Sequence, residues 1–204
     1  MKGDYITLKQ RASDEFVEKK SRFIGYACPV ETEEQAVAFI NEIRAKHRDA
    51  RHNVYAYIVN NNGVVNQRYS DDGEPQGTGG MPVMDVIMKQ GLINCCVVVT
   101  RYFGGILLGA SGLVRAYSHG ASIAVEAAGI LKVIECKPLK ITVPYGIYDR
   151  LMSYFAPFGY TQVSADFSTD VTVVYDIPTG EVGKRQAEII DMTNGRAIVE
   201  VLKD

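Results

Sequence analysis

The residues best suited to chemistry lie in Arg101-Tyr102-Phe103-Gly104-Gly105-Ile106-Leu107-Leu108-Gly109-Ala110-Ser111-Gly112, between an apolar run and a helical pattern. A glycine-rich passage from strand to helix aims backbone N–H groups at whatever sits at the helix N-terminus, and such a site holds an anion. Arg101 and Arg115 would add positive charge there. No lysine follows the last glycine, so this is not a Walker loop, and the spacing also fails G-x-G-x-x-G. A nucleotide-hydrolysing enzyme is therefore not indicated. The same glycines can equally serve a tight crossover. Tyr102 and Phe103 can stack on a base or fill core, and only one of them faces inward if the strand continues.

A second cluster, Asp71, Asp72 and Glu74, with His47, His52 and His119 elsewhere, contains the residue types of a metal hydrolase. Its local spacing is not ligand spacing, and two aspartates before Gly-Glu-Pro fit a turn with an Asx cap. No metal and no cofactor is expected. Three unpaired carboxylates in one loop would repel one another and any phosphate, so Arg22, Arg51 or Arg101 is expected to neutralise them and order the loop. No G-x-S-x-G elbow surrounds any serine. The basic run Arg44, Lys46, His47, Arg48 and Arg51 reads either as a solvated helix C-terminus or as a phosphate-contacting patch.

The elements that must position these groups follow from periodicity. Ala36, Val37, Ile40 and Ile43 recur at helical spacing between Glu33 and Lys46, with Thr32 as N-cap. Asn53 to Val59 and Val64 to Tyr69 read as a hairpin through Asn60-Asn61-Asn62-Gly63. Ser70 to Gly80 is a long loop, Pro82 opens a helix that Gly91 closes, and Cys95 to Thr100 is a buried strand. Ser111 is placed to cap the next helix, with Leu113, Ala116, Tyr117, Gly120, Ala124, Ala127 and Ala128 as its inner stripe. Beyond Cys136, strand Leu139 to Val143, helix Tyr148 to Phe155, strands Thr161 to Phe167 and Asp170 to Asp176, helix Val182 to Thr193 and strand Ala197 to Leu202 give βαββαβ, a ferredoxin-like order. The fold class is α+β, with domains at 1–135 and 136–204.

Composition agrees with that division. At 204 residues, 47% hydrophobic and 23% charged, the chain suits two ordinary globular domains. No apolar run approaches the ~20 residues of a spanning helix, and the start Met1-Lys2-Gly3-Asp4-Tyr5 lacks a signal h-region. A cytoplasmic location without membrane contact is the expectation. Residues 1–135 carry 15 basic and 15 acidic groups, and residues 136–204 carry 7 and 9, so RNA contact would need a local patch. Cys28, Cys95, Cys96 and Cys136 show no C-x-x-C spacing and read as buried thiols.

The chain resembles the YigZ/IMPACT family, on a signature from Gly80 through Val83-Met84, Ile87, Leu92 and Val98-Val99 to Arg101-Tyr102-Phe103-Gly104-Gly105 and Leu108-Gly109. Ser21-Arg22-Phe23, Arg51-His52-Asn53-Val54-Tyr55-Ala56 and Asp71-Asp72-Gly73-Glu74-Pro75 extend the likeness across residues 15 to 130. The remainder resembles the carboxy-terminal domain of elongation factor G. The resemblance implies a first domain of the ribosomal-protein βαβ type, a sandwich of sheet and helices with a left-handed crossover. Eukaryotic members regulate translation by competing for the activator of a stress-responsive initiation-factor kinase. They carry a further amino-terminal domain with no counterpart here, so the theme of translation or RNA contact is what carries over.

The resulting expectation is a non-enzymatic regulator of translation associated with RNA or the ribosome, or with a translation-associated protein. Its surface would comprise Arg22, Arg51, His52, Arg101, Tyr102, Phe103, Gly104, Gly105, Gly109, Ser111 and Arg115, with Asp71, Asp72 and Glu74 ordering the loop. The alternative is a metal-dependent hydrolase or small-molecule enzyme built on His52, Asp71, Asp72 and Glu74.

Overall fold

The computed structural model describes residues 3–61 and 63–202. Met1 and Lys2, used above against a signal segment, and Asn62 of the expected hairpin turn lie outside them. The chain divides into two compact units, residues 1–133 and 134–204, and its architecture is α+β.

The first unit runs β1 (Tyr5–Leu8), β2 (Ala12–Glu18), β3 (Ser21–Pro29), α1 (Glu33–Lys46), β4 (His52–Asn61), β5 (Val64–Ser70), α2 (Gly80–Lys89), β6 (Cys95–Tyr102), α3 (Ala110–Ala128) and β7 (Ile130–Val133). Its main sheet has the order β2-β3-β6-β4-β5, with every neighbouring pair antiparallel. β6 sits in the middle and is covered on both faces, so it reads as an unbroken apolar run. On one face α1 packs Ala36, Phe39, Ile40 and Ile43 against Tyr26, Tyr57 and Val98. Val37, expected in that stripe, is 42% exposed, and Phe39 takes its place. On the other face α2 and α3 cover Val54, Ala56, Val97 and Val99. β1 and β7 form a separate two-stranded ladder.

The expected α3 stripe is buried except for Ala127, and Ala121 and Val125 join it. Small residues let this helix lie against the sheet. A Cβ added at Gly25 of β3 would meet the Gly120 carbonyl oxygen at 2.1 Å, and one at Gly120 would meet Val99 Cγ1 at 2.9 Å. Ser111 is not the cap of α3. That position belongs to Gly109, whose φ of +74° suits glycine and which offers no side-chain bond. Arg101 and Tyr102, expected in the loop, are the last two residues of β6 and pair with Phe23 and Arg22. β1, β2, β3 and β7 were not anticipated.

The second unit runs β8 (Cys136–Val143), α4 (Tyr145–Phe155), β9 (Thr161–Phe167), β10 (Val171–Pro178), α5 (Val182–Met192) and β11 (Ile198–Val201), the anticipated βαββαβ. Its sheet has the order β11-β8-β10-β9 and is antiparallel throughout. Leu139, Ile141, Val173 and Ile177 alternate along β8 and β10 against Ile147, Leu151 and Ile189. Cys95 and Cys96 are buried in the clusters on opposite faces of the first sheet, whereas Cys28 is half-buried and Cys136 exposed. Burial pushes the Cys95 thiol up to about 12, which keeps it protonated and inert. No described helix is long and apolar enough to cross a membrane.

Candidate functional site

Alternation along β6 decides which face each functional side chain serves. Arg101 follows Val97 and Val99 toward the α3 side, and Tyr102 turns toward α1. β4 runs antiparallel to β6 with His52 opposite Arg101, so the two functional candidates meet across one ladder step. Beyond Tyr102 the chain passes tightly over the β2–β3 turn. A Cβ at Gly104 would lie 2.0 Å from the Lys20 carbonyl, and the Gly104 N–H donates to Ser21 Oγ at 3.2 Å. The connection then leaves Phe103 43%, Ile106 42% and Leu107 81% exposed before Gly109 opens α3.

The three loop carboxylates are each neutralised in a different way. Asp71 accepts from the N–H groups of Gly77, Gly79 and Gly80 at 2.8–2.9 Å, tying the loop to the start of α2. Burial pushes its carboxyl up, but the three bonds outweigh that and hold it below its ordinary value. Asp72 takes Arg44 at 2.6 Å and the Asn53 N–H at 2.7 Å. Arg44 was not among the anticipated partners. Glu74, with a side chain only 4% exposed, takes Arg101 Nη1 at 2.6 Å and the Tyr117 hydroxyl at 2.7 Å on the same oxygen. Burial and Glu74 together drive the Tyr117 phenol well above its usual range, so it stays a donor.

The Arg101–Glu74 pair lines a cleft of about 320 Å³ whose apolar walls include Phe103, Leu107, Leu108 and Leu113. Arg51, His52, Glu74 and Arg101 are the titratable groups lining it. The Arg101 side chain is 6% exposed and lies between the Phe23 and Phe103 rings, 5.5 and 5.4 Å from their centroids. Its buried Nε has no hydrogen-bond partner. His52 Nδ1 lies 2.9 Å from the Asp72 carbonyl oxygen, which can only accept, so Nδ1 carries the proton. His52 Nε2 lies 3.9 Å from Glu74 Oε1.

Of the residues singled out in the sequence, Arg51, His52, Glu74, Arg101, Phe103 and Gly109 converge on this cleft. Arg22 does not. It points to the α1 side of β3 and pairs with Glu15 at 2.6 Å. Tyr102 is also on the α1 side, where its hydroxyl donates to Asp49 at 3.0 Å and accepts from His47 Nδ1 at 2.8 Å. His47 Nε2 in turn accepts from Tyr26 at 2.6 Å. Gly105 and Ser111 are exposed beside the cleft. Arg115 lines a neighbouring cleft of about 250 Å³ with Lys19, Glu18, Phe16 and His119. Sequence reasoning missed the pairing of Arg44 with Asp72, Lys19, Leu107 and the polar role of Tyr117, because no local pattern reports a cross-strand register.

The alternative constellation does not assemble. Asp71 turns into its own loop and Asp72 to Arg44, leaving His52 and Glu74 alone at the cleft. Among the described residues no group of three or more His, Cys, Asp or Glu could hold a metal ion.

Comparison with known proteins is informative over the whole chain. Residues 19–125 match the model of the Impact N-terminal domain, and residues 141–196 match a domain of unknown function, DUF1949. The chain is 32% identical over 200 residues to the IMPACT family member YvyE of Bacillus subtilis (strain 168), covering 98% of this chain and 92% of that protein. It is 34% identical over 181 residues to the IMPACT family member YigZ of Escherichia coli (strain K12), covering 87% of each. A crystal structure described as that of a hypothetical protein covers all of both chains with 27% identity and a TM-score of 0.63.

Proposed function

This chain belongs to the IMPACT family, and from that premise we propose that it is a non-enzymatic regulator of translation that contacts RNA or the ribosome around its glycine-rich connection. The observation that carries the reading is the charge balance at the start of α3. Asp71, Asp72 and Glu74 are all engaged by backbone or arginine partners. Arg51, Arg115 and Lys19, which line the two adjoining clefts, make no ion pair among the described residues. α3 begins there without a side-chain cap, adding the positive end of its dipole. Glu18 lines the second cleft beside them, and three cations against this one carboxylate still give a net-neutral domain the local electropositive patch that phosphate contact requires. The residues that face outward, Arg51, Arg115 and Lys19, make the phosphate contacts, and buried Arg101 orders the floor beneath them. A cytoplasmic location follows from this role.

Ribosome co-sedimentation at two salt concentrations tests the reading. Association should fall steeply with salt, and Arg115→Ala with Lys19→Ala should weaken it and flatten the salt dependence by about one counterion per removed cation. Salt-independent association unaffected by these variants would overturn it in favour of a protein partner.

A further inference from the structure

We propose that the cleft between Arg101 and Leu107 binds a small aliphatic carboxylate as a monoanion. The inference goes beyond the RNA reading, which rests on the outward cations, of which Arg51 also lines this cleft, and it concerns the interior of the cleft.

Charge selects the ligand first. Arg51 and Arg101 supply two positive charges and Glu74 one negative charge, so these three groups sum to one positive charge. A monoanion balances that sum. A phosphate dianion would bring its second charge against Glu74, which is fixed in place by Arg101 and Tyr117. The donors for a carboxylate are present and unspent. Arg101 is nine-tenths buried and spends Nη1 on Glu74, and no hydrogen bond is made by its Nη2 among the described residues. Gly109 and Ala110, at the uncapped start of α3, form the adjoining wall.

Shape and polarity select the rest of the ligand. The walls are largely aliphatic, from Leu107, Leu108, Leu113 and Pro75, with the rings of Phe103 and His52 beside them. The Arg101 guanidinium already lies against the Phe103 ring. About 320 Å³ is at the small end of ligand pockets and suits one amino-acid-sized group. Leu107, 81% exposed at the mouth, is apolar surface that an aliphatic chain would cover.

The same chemistry is offered by a free branched-chain acid and by a polypeptide ending in an aliphatic residue. Titrating the full-length ¹⁵N-labelled chain with N-acetyl-leucine, N-acetyl-leucine amide and a nucleoside monophosphate decides whether the site exists. The acid should shift the amides of Ala110 and Leu113 and bind at least about tenfold more tightly than the amide, the worth of one charge-assisted contact. Arg51→Ala should cost about tenfold as well, and Leu107→Asp should abolish binding. A short peptide ending in leucine, compared with its amidated form, separates the sources: retained affinity supports a chain terminus, and steric exclusion supports the free acid. Arg115→Ala should leave acid binding intact while lowering ribosome association, so the two readings fail separately. Equal binding of acid and amide, tighter binding of the nucleotide, or no shift at millimolar acid overturns the proposal.

Discussion

Arg101 and Glu74 form a buried pair from which neither partner can be taken alone. Arg101→Ala would leave Glu74 charged, 4% exposed at its side chain and held only by Tyr117. The expected loss is about 3–5 kcal/mol, read from urea denaturation. Replacing both residues by apolar ones of similar volume should recover most of it, because the stranded charge is then gone. His47 gives a different signature. Burial, with Lys46, lowers its pKa, and its ring is hydrogen-bonded between Tyr26 and Tyr102. The unfolded chain takes up a proton near pH ~6.5 that the folded protein refuses. Stability is therefore full above that value, declines as pH falls toward the depressed folded pKa, and levels off below it. Urea midpoints across this range should show the decline, and His47→Gln should lack it.

At the scale of elements, the decisive contact is α3 on the sheet. Gly25→Ala would set a methyl 2.1 Å from the Gly120 carbonyl, which is backbone and cannot swing aside. The helix must lift, at an expected cost of at least about 1–3 kcal/mol, seen as a lowered melting temperature with unchanged helix content. The stripe of α3 was legible because its small residues recur at helical spacing. So was the second unit, where apolar alternation in β10 is complete. β2 and β3 were not, since β2 is an edge strand bearing charges and β3 is apolar on both faces, so neither shows a clean period of two. The candidate site was half legible. The glycine-rich stretch announced a strand-to-helix passage, but the pairing of His52 with Arg101, and of Asp72 with Arg44, is set by registers between distant segments. Tyr117 looked like core because it is core, with only its hydroxyl reaching Glu74.

For the molecule as a whole, each unit owns a separate apolar cluster around its own sheet. A fragment of residues 1–133 should fold alone, with dispersed NMR signals and a cooperative melt. An unfolded fragment would remove the proposed independence. The β1–β7 ladder pairs Tyr5 with Val133 and Leu8 with Ile130, so a fragment ending at residue 128 should melt at lower temperature than one ending at 133.

β6 lies at the centre of the first sheet yet emerges after β2, β3, β4 and β5. During synthesis, β3 and β4 therefore have no common partner until residue 102 has been made. Roughly 40 residues separate the end of β4 from that point, about 2–8 s at ordinary elongation rates. Through this interval two apolar strand edges wait open, one half of a sheet on either side of a gap. The nascent chain has its greatest exposure to chaperones and to misassembly then, and closure of the sheet is a single late insertion.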